Sequence, residues 1–304
     1  MSNKFIVSAL RFFFSFLLPK LDSAEEIYAH AKANNEKQVF KIPKNRKIEY
    51  SDLKINTGTD LYHCLRMKRK DSTPEKAILY ICGGGGVYDY CNAQLIFAKK
   101  LLSKVDAEIY YPFYPPSTVH PIREAHSMIF ETYRAILNKY SHENIGVLGL
   151  SFGGTAAMTM LSWNNYYNEH LPMPALTIAF SPGHMPANTL EREMLETYRD
   201  KDPIISVEMV EAYTKINRGE QELEHWLIHT AHGDFRNAGK IFLYYGEDET
   251  LAFAAPIYRD YLERAGAEYN IHLEPGMPHC YGVIKINNAS GRTYDEVVTL
   301  LNNL

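Results

Sequence analysis

Residues 145–154 read I-G-V-L-G-L-S-F-G-G, and this stretch decides how the chain is interpreted. Its first six residues form a short apolar run, which is typical of a strand buried on both faces. The run leads into the pattern G-x-S-x-G around Ser151, and a helix is predicted to begin near Gly153. A sharp strand-to-helix turn strains such a serine, and the flanking glycines remove side chains that would collide with neighbouring backbone. The pattern predicts that Ser151 is a nucleophile at the end of a strand.

A run of four glycines, residues 83–86, follows another apolar run at residues 77–82. Backbone N–H groups in such a loop can approach a ligand closely, and an oxyanion requires donors of this kind. The alternative is a flexible surface loop or a phosphate-binding turn. The chain has neither G-x-x-x-x-G-K-[ST] nor an acidic residue at the distance that a dinucleotide fingerprint requires. We therefore interpret the glycines as part of an oxyanion hole.

A serine nucleophile requires a base, normally a histidine that a carboxylate orients. Of the 12 histidines, His279 ends a turn at residues 275–279, directly after the last predicted strand. The loop after the preceding strand, residues 246–251, reads G-E-D-E-T-L and is expected to supply the acid. Loops that follow parallel strands meet at the carboxyl edge of a sheet, so these groups should lie close to Ser151. The order serine, acid, histidine along the chain supports this assignment.

The order of elements predicts the fold class. Short apolar runs alternate with amphipathic stretches from about residue 77 onward, which is typical of a parallel sheet covered by helices on both faces. We predict one α/β domain with a mostly parallel, eight-stranded sheet that an antiparallel pair opens. The predicted strands are residues 47–50, 61–68, 77–82, 107–112, 145–150, 176–181, 240–245 and 269–274, and the clearest predicted helices are residues 121–139 and 254–265.

Two segments interrupt or precede this pattern. Residues 182–237 are long, charged and helical in character, and they exceed what a plain crossover between parallel strands requires. We predict that they form a cap inserted into an α/β domain of residues 46–304, and that the N-terminal segment, residues 1–45, joins the cap. Within it, residues 5–18 are apolar but span only about 14 residues, against roughly 20 for a membrane-spanning helix. Packing on the protein body is favoured over peripheral membrane binding.

Composition and charge exclude several classes. The net charge of −4 comes from 36 acidic and 32 basic residues without a basic block, so nucleic acid is not an expected partner. Four cysteines without a close C-x-x-C pair favour reduced thiols in a cytoplasmic protein over a disulfide framework or zinc site. We predict no metal and no cofactor, a small-molecule ester as the partner, and leave a homodimer open.

The motifs together resemble those of the hormone-sensitive-lipase-like family of α/β-hydrolases, from about residue 77 to the end of the sequence. Family members carry H-G-G-G, G-D-S-A-G, G-x-x-[DE]-x-L and G-M-x-H, and two further segments, residues 111–116 and 201–203, are also similar. The corresponding segments here are residues 82–85, which read C-G-G-G, 149–153, G-L-S-F-G, 246–251, G-E-D-E-T-L, and 276–279, G-M-P-H.

The resemblance implies a role for each matched residue. It makes Ser151 the nucleophile and His279 the base, and its register favours Glu249 over Asp248 as the acid. The implied oxyanion donors are the N–H groups of Gly83, Gly84 and Phe152. Two supporting positions depart from the family pattern, since Cys82 stands for a histidine that helps to hold the glycine loop, and Leu150 stands for an aspartate.

The predicted function is a serine hydrolase that cleaves carboxylic esters through an acyl-enzyme intermediate. Short acyl chains are expected because residues 191–201 of the predicted cap are densely charged, and because Tyr88 and Phe152 add bulk near the nucleophile. A carbohydrate or small-molecule deacetylase or an acyltransferase would use the same triad. A non-catalytic ligand-binding relative is the other alternative, and the complete triad argues against it.

Overall fold

The computed structural model describes residues 23–89, 92–202, 204–283 and 287–304, so the predicted apolar helix at residues 5–18 lies outside the described residues. The strands are β1 Ile48–Asn56, β2 Leu61–Arg69, β3 Ala77–Ile81, β4 Glu108–Pro112, β5 Ile145–Leu150, β6 Leu176–Phe180, β7 Lys240–Gly246 and β8 Tyr269–Glu274. The helices are α1 Ala24–Asn35, α2 Asn92–Leu102, α3 Ile122–Leu137, α4 Phe152–Tyr166, α5 Thr189–Glu196, α6 Val207–Arg218, α7 His225–Ile228, α8 Ala255–Ala265 and α9 Asn288–Asn302. Within the described residues, none of these helices has both the length and the apolar character needed to cross a bilayer.

The eight strands form one sheet in the order β1-β2-β4-β3-β5-β6-β7-β8. Strand β2 pairs antiparallel with β1 and β4, and the remaining neighbours pair in parallel. Every residue of β3, β4, β5 and β6 is buried, because helices cover both faces of the central sheet, and this explains their largely apolar sequences. The prediction of a mostly parallel, eight-stranded α/β sheet is confirmed.

The opening hairpin differs from its prediction in length. Strand β1 continues to Asn56, six residues beyond the predicted end at residue 50, and pairs with the whole of β2. The added residues include polar ones such as Ser51 and Asp52, which an edge strand exposed on one face can accommodate. An apolar run therefore underestimates the length of an edge strand.

The amphipathic pattern of residues 121–139 produces α3. Pro121 precedes the first turn, where its fixed φ and missing N–H cost little. One side of the helix is buried at Ile122, Ala125, His126, Met128, Ile129, Phe130, Thr132, Tyr133 and Ile136. All but two of these side chains are apolar or aromatic, and the exception that matters below is His126.

Residues 182–237, here called the cap segment, contain α5, α6 and α7 between β6 and β7. Helix α1 packs on α6, and its Ile27 and Ala31 share one apolar cluster with Ala212. An ion pair also joins the two helices, with Nζ of Lys215 2.6 Å from Oε1 of Glu25. The described part of the N-terminal segment thus contacts the cap segment. The division into a cap and an α/β domain stays a prediction.

Candidate active site

Ser151 lies directly after β5, at the N-cap of α4, with φ 55° and ψ −122°. A positive φ is uncommon for a residue with a side chain and marks local strain. A Cβ added to Gly149 would lie 2.1 Å from the carbonyl oxygen of Gly153, and one added to Gly153 would lie 2.2 Å from that of Ile81. Glycine is therefore required on both sides of the serine. The turn projects Ser151 from the carboxyl edge of the sheet.

The three residues predicted as a triad lie together. Nε2 of His279 is 2.9 Å from Oγ of Ser151, and Nδ1 of His279 is 2.8 Å from Oε2 of Glu249. Glu249 follows β7 and is fully buried, whereas His279 follows β8. Asp248 is half-buried and makes no described hydrogen bond to the imidazole. The carboxylate that contacts His279 is thus the one that the motif register favoured.

Burial and charge act in opposite directions on this pair. Burial raises the pKa of the Glu249 carboxyl, and the hydrogen bond to His279 works against that rise. Burial alone would lower the pKa of His279, but the adjoining Cys280 sulfur and the Glu249 carboxylate outweigh it and raise that pKa. The arrangement stabilises a protonated imidazole, which is the species that forms when a histidine accepts a proton from a serine.

A half-buried aspartate from the cap segment, Asp202, holds the loop that carries Glu249. The backbone N–H of Thr250 donates to Oδ2 of Asp202 at 2.9 Å, and the Thr250 hydroxyl donates to the Ile205 carbonyl at 2.5 Å. Burial raises the pKa of Asp202. The sequence placed Asp202 in a segment similar to the family but gave it no role, because its partner lies 48 positions further along the chain.

The N–H groups of the glycine loop differ in whether they have an acceptor. The N–H of Gly83 donates to Oε1 of Gln94 at 2.5 Å, so it is not available to a ligand in this arrangement. The N–H groups of Gly84, Gly85 and Phe152 have no acceptor among the described residues. Gly84 and Gly85 also line the cavity at Ser151. The membership of the oxyanion hole stays a prediction.

Side chains from three separate elements hold the glycine loop. The Tyr114 hydroxyl donates to the carbonyl of Cys82 at 2.8 Å. On α6, Nδ2 of Asn217 donates to the carbonyl of Gly85 at 2.7 Å. From α1, Nδ2 of Asn35 donates to the carbonyl of Val87 at 2.9 Å. The two departures from the family pattern, at Cys82 and Leu150, place nearly fully buried side chains beside this framework.

A cavity of about 680 Å³ opens at Ser151, between the sheet edge and the cap segment. Its lining is mainly apolar and includes Phe97, Ile122, Phe152, Met185, Ile205, Val210, Leu223, Leu227, Ile228, Leu251 and Val283. None of residues 191–201 belongs to the lining. Arg192 pairs instead with Glu211, and Arg199 pairs with Glu196 and Glu208. The charges that suggested a poor acyl site therefore do not line the cavity.

A second cluster consists of two histidines and a glutamate of α5, and their potential ligand atoms lie close enough together to be considered as a metal site. The ligand atoms of His184, Glu191 and His232 lie within 4.8 Å of one another. Glu191 accepts from Nε2 of His184 at 3.0 Å and from Nε2 of His232 at 2.9 Å. However, Nδ1 of His184 accepts from the N–H of Ala231 at 3.1 Å, so a neutral ring carries its proton on Nε2. That nitrogen has no lone pair for a metal, and the group fits a hydrogen-bond network better than a metal site.

Comparison with known proteins identifies the family of the chain. A family model described as alpha/beta hydrolase fold matches residues 78–283, and the chain belongs to that family. A search of curated proteins found no match. The predicted resemblance is confirmed at the level of the fold by the solved structures below.

The crystal structure of the HSL-homolog EstE7 from a metagenome library has a TM-score of 0.79 and 20% identity, covering 100% of this chain and 98% of that one. EstE5 soaked with p-nitrophenyl butyrate has a TM-score of 0.78 and 17% identity, covering 100% and 98%. A putative esterase from Staphylococcus aureus has a TM-score of 0.76 and 17% identity, covering 95% and 97%. At such identities these likenesses establish a shared fold.

Proposed function

We propose that the protein is a serine-dependent carboxylesterase. The observation that carries this proposal is the continuous chain of hydrogen bonds from Glu249 through His279 to Ser151, which ends in a largely apolar cavity. Structures with the same fold are described as esterases, and one of them was soaked with p-nitrophenyl butyrate. A strained serine, a base and a buried acid at one sheet edge suit attack on an ester carbonyl.

Each proposed step uses a residue in that chain. Oγ of Ser151 attacks the ester carbonyl while His279 accepts the hydroxyl proton, and the Glu249 carboxylate stabilises the resulting imidazolium. His279 then returns the proton to the leaving alcohol, which leaves an acyl group on Ser151. Water activated by His279 hydrolyses that acyl-enzyme. We assign the oxyanion donors to the N–H groups of Gly84, Gly85 and Phe152, with Gly85 in place of Gly83.

The acyl preference is a finer part of the same proposal. Burial of each methylene contributes about 0.8 kcal/mol where an apolar surface receives it, and the cavity lining provides such a surface. We propose that kcat/KM rises from acetate to about butyrate or hexanoate and falls for laurate and palmitate esters, which outgrow the cavity. Rates for a series of p-nitrophenyl esters test this order, and faster turnover of palmitate than of butyrate would contradict it.

Ser151→Ala tests the core of the proposal. The variant should remain folded and lose esterase activity by at least about a thousandfold, because the triad acts as a unit. Ser141→Ala is a matched control, since Ser141 is exposed and its side chain makes no capping hydrogen bond. A fluorophosphonate probe should label the wild-type protein and the control but not Ser151→Ala. A folded, active Ser151→Ala protein would refute the proposal, and an unlabelled wild-type protein would favour a non-catalytic relative.

A deacetylase or an acyltransferase would give the same labelling, so product analysis separates these alternatives. An esterase releases free acid at the rate at which alcohol appears. An acyltransferase transfers the acyl group to an added alcohol in preference to water. A carbohydrate deacetylase releases acetate from acetylated sugars faster than from ethyl acetate.

A further inference from the structure

His126 is a buried titratable residue that the proposed reaction does not use. It lies one helical turn from Ile122 on α3, and both residues line the cavity that contains Ser151. His126 is only 4% exposed. The centroid of its ring lies 5.7 Å from that of Phe152, the residue that follows the nucleophile. His126 is thus part of the wall beside the reacting serine.

The imidazole of His126 has no hydrogen-bond partner among the residues that the structure describes. Buried polar side chains in folded proteins nearly always have one, because an unsatisfied donor or acceptor costs free energy. His184, which is also buried, and the half-buried His279 both have partners on their ring nitrogens. An unsatisfied imidazole in a cavity wall is therefore suited to a polar group of a ligand.

The charge state of His126 indicates which chemical class of ligand group the ring can bind. Burial, together with the nearby Arg123 guanidinium, lowers the pKa of His126 to about 4. The ring is therefore neutral near pH 7 and offers one N–H donor and one nitrogen acceptor. Arg123 is itself paired with Glu224 of the cap segment. An uncharged group that both donates and accepts, such as a hydroxyl, matches this ring better than a carboxylate does.

The surroundings of His126 are mainly apolar, and Oδ1 of Asn217, which lies beside Ile122 and Phe152, already accepts a hydrogen bond from the Ser117 hydroxyl. Ile122 and Phe152 adjoin each other here, since a Cβ on Gly86 would contact both side chains. Leu223, next to the Glu224 that pairs with Arg123, and Leu227 contribute further apolar lining. A polar side chain that has no partner among the described residues and lies among mainly apolar neighbours discriminates between ligands that carry and lack the matching group.

We propose that His126 is a specificity-determining residue that forms a hydrogen bond with a hydroxyl group of the ester substrate. The preferred substrates would then be apolar esters that carry a hydroxyl, rather than plain alkyl esters. This inference rests on the proposed esterase function. The hydroxyl belongs either to the acyl chain or to the alcohol part, because both would lie in the cavity around Ser151, and the experiment below separates the two sources.

The test compares kcat/KM for matched pairs of esters by pH-stat titration. One arm varies the acyl chain, with ethyl hexanoate against ethyl 3-hydroxyhexanoate and ethyl 6-hydroxyhexanoate. The other arm varies the alcohol, with hexyl butyrate against 3-hydroxyhexyl and 6-hydroxyhexyl butyrate. Wild-type protein is compared with His126→Phe, which keeps a flat ring but has no polar atom, and with His126→Gln, which keeps a donor and an acceptor.

We expect wild-type protein to prefer a hydroxylated ester by about tenfold in one arm, the size of effect that one neutral hydrogen bond supports. His126→Phe should reduce that ratio to one or below, because the hydroxyl would be buried without a partner. His126→Gln should keep part of the preference. The ratio is the readout because a change in activity common to both esters cancels.

Two results would overturn the inference. One is a wild-type ratio of one or below in both arms, which requires no variant and so does not depend on whether a variant folds. The other is an unchanged preference in His126→Phe. Hydrolysis of ethyl hexanoate by wild-type protein but not by Ser151→Ala tests the esterase function separately. Its presence without any hydroxyl preference would leave the esterase function intact and refute only the role of His126.

Discussion

Among the residues that the structure describes, two systems place a buried carboxylate in contact with histidine, and they differ in the group that contacts the other ring nitrogen. In one, Glu249 contacts His279, whose other nitrogen faces Ser151 in the cavity. In the other, Glu191 contacts His184, whose other nitrogen accepts a backbone N–H. A buried histidine–carboxylate pair therefore does not identify a catalytic site by itself. The group on the second ring nitrogen decides whether the pair can move a proton to a reactant or only joins elements of the fold.

The largest expected effect is the difference in activity between substituting a histidine of the first system and one of the second. His279→Ala should lower kcat/KM for p-nitrophenyl butyrate by at least about a thousandfold, because no other base contacts Ser151 among the described residues. His232→Ala removes a histidine of the second system that does not line the cavity, and it should retain activity within about fivefold. Steady-state kinetics of both variants check this contrast. Equal losses in the two would show that the comparison is wrong.

The same substitution at the two carboxylates sharpens the comparison. Glu249→Gln should lower kcat by about a hundredfold or more, because an amide neither holds the catalytic tautomer of His279 nor stabilises its charge. Glu191→Gln should retain most of the activity. Asp248→Asn is the local control for the acid loop and should also stay within about threefold. If Asp248→Asn were the inactive variant, the acid would have to be moved by one residue.

The free energy of unfolding should show the opposite contrast, because Glu191, which is dispensable for activity, is expected to matter for stability. Glu191 accepts hydrogen bonds from two histidines and from the backbone N–H of Ala187. We expect Glu191→Gln to lower the free energy of unfolding by about 2–3 kcal/mol, because several donors lose a charged acceptor. Urea unfolding at pH 7.5 measures the loss. A loss below 0.5 kcal/mol would mean that the network contributes little to the fold.

The last expected effect is a change of stability with pH. Burial, outweighing the opposing Glu191 and joined by His232 and His229, lowers the pKa of His184 to about 4. The unfolded chain then binds a proton below about pH 6.5 that the folded chain takes up only near pH 4. Stability is therefore full above pH 6.5 and falls by up to about 1.4 kcal/mol per pH unit between these values.

His126 contributes to the same pH window, since its pKa is also lowered to about 4. Urea unfolding of wild-type protein, His126→Phe and His184→Phe at pH 7.5, 6 and 5 separates the two contributions. Each variant should show a shallower decline than wild-type protein. A wild-type free energy of unfolding that stays constant from pH 7.5 to 5 would contradict both assignments.

Short sequence patterns predicted those features of the molecule that depend on residues close together in the chain. The apolar run before Ser151, the glycines around it and the turn before His279 each act within a few residues, so the fold class and the neighbours of the nucleophile could be inferred. The register of the acid loop, read through the family resemblance, also selected the carboxylate that contacts His279 in the structure.

Contacts between distant segments could not be read in this way. Whether the N–H of Gly83 faces a ligand depends on Gln94, and the glycine loop also depends on Asn217, 132 positions from Gly85. The burial of His126 against a cavity follows from packing between α3 and α4, the helix that begins at Phe152. Arg192 and Arg199 likewise pair with Glu211 and Glu208 of α6, which the sequence does not reveal. The number of charged residues in the segment was therefore a poor guide to the lining of the cavity.

The cap segment contacts both sides of the proposed catalytic apparatus. Asp202 binds the residue after Glu249, and Asn217 binds the carbonyl of Gly85. A motion that lifted the cap segment to admit substrate would break both hydrogen bonds, and so would loosen the acid and the oxyanion donors together. An open molecule would then be a poor catalyst as well as an accessible one. Substrate would enter while the acid and the oxyanion donors were displaced. An ester bound beneath the closed cap segment would then contact a completely assembled active site.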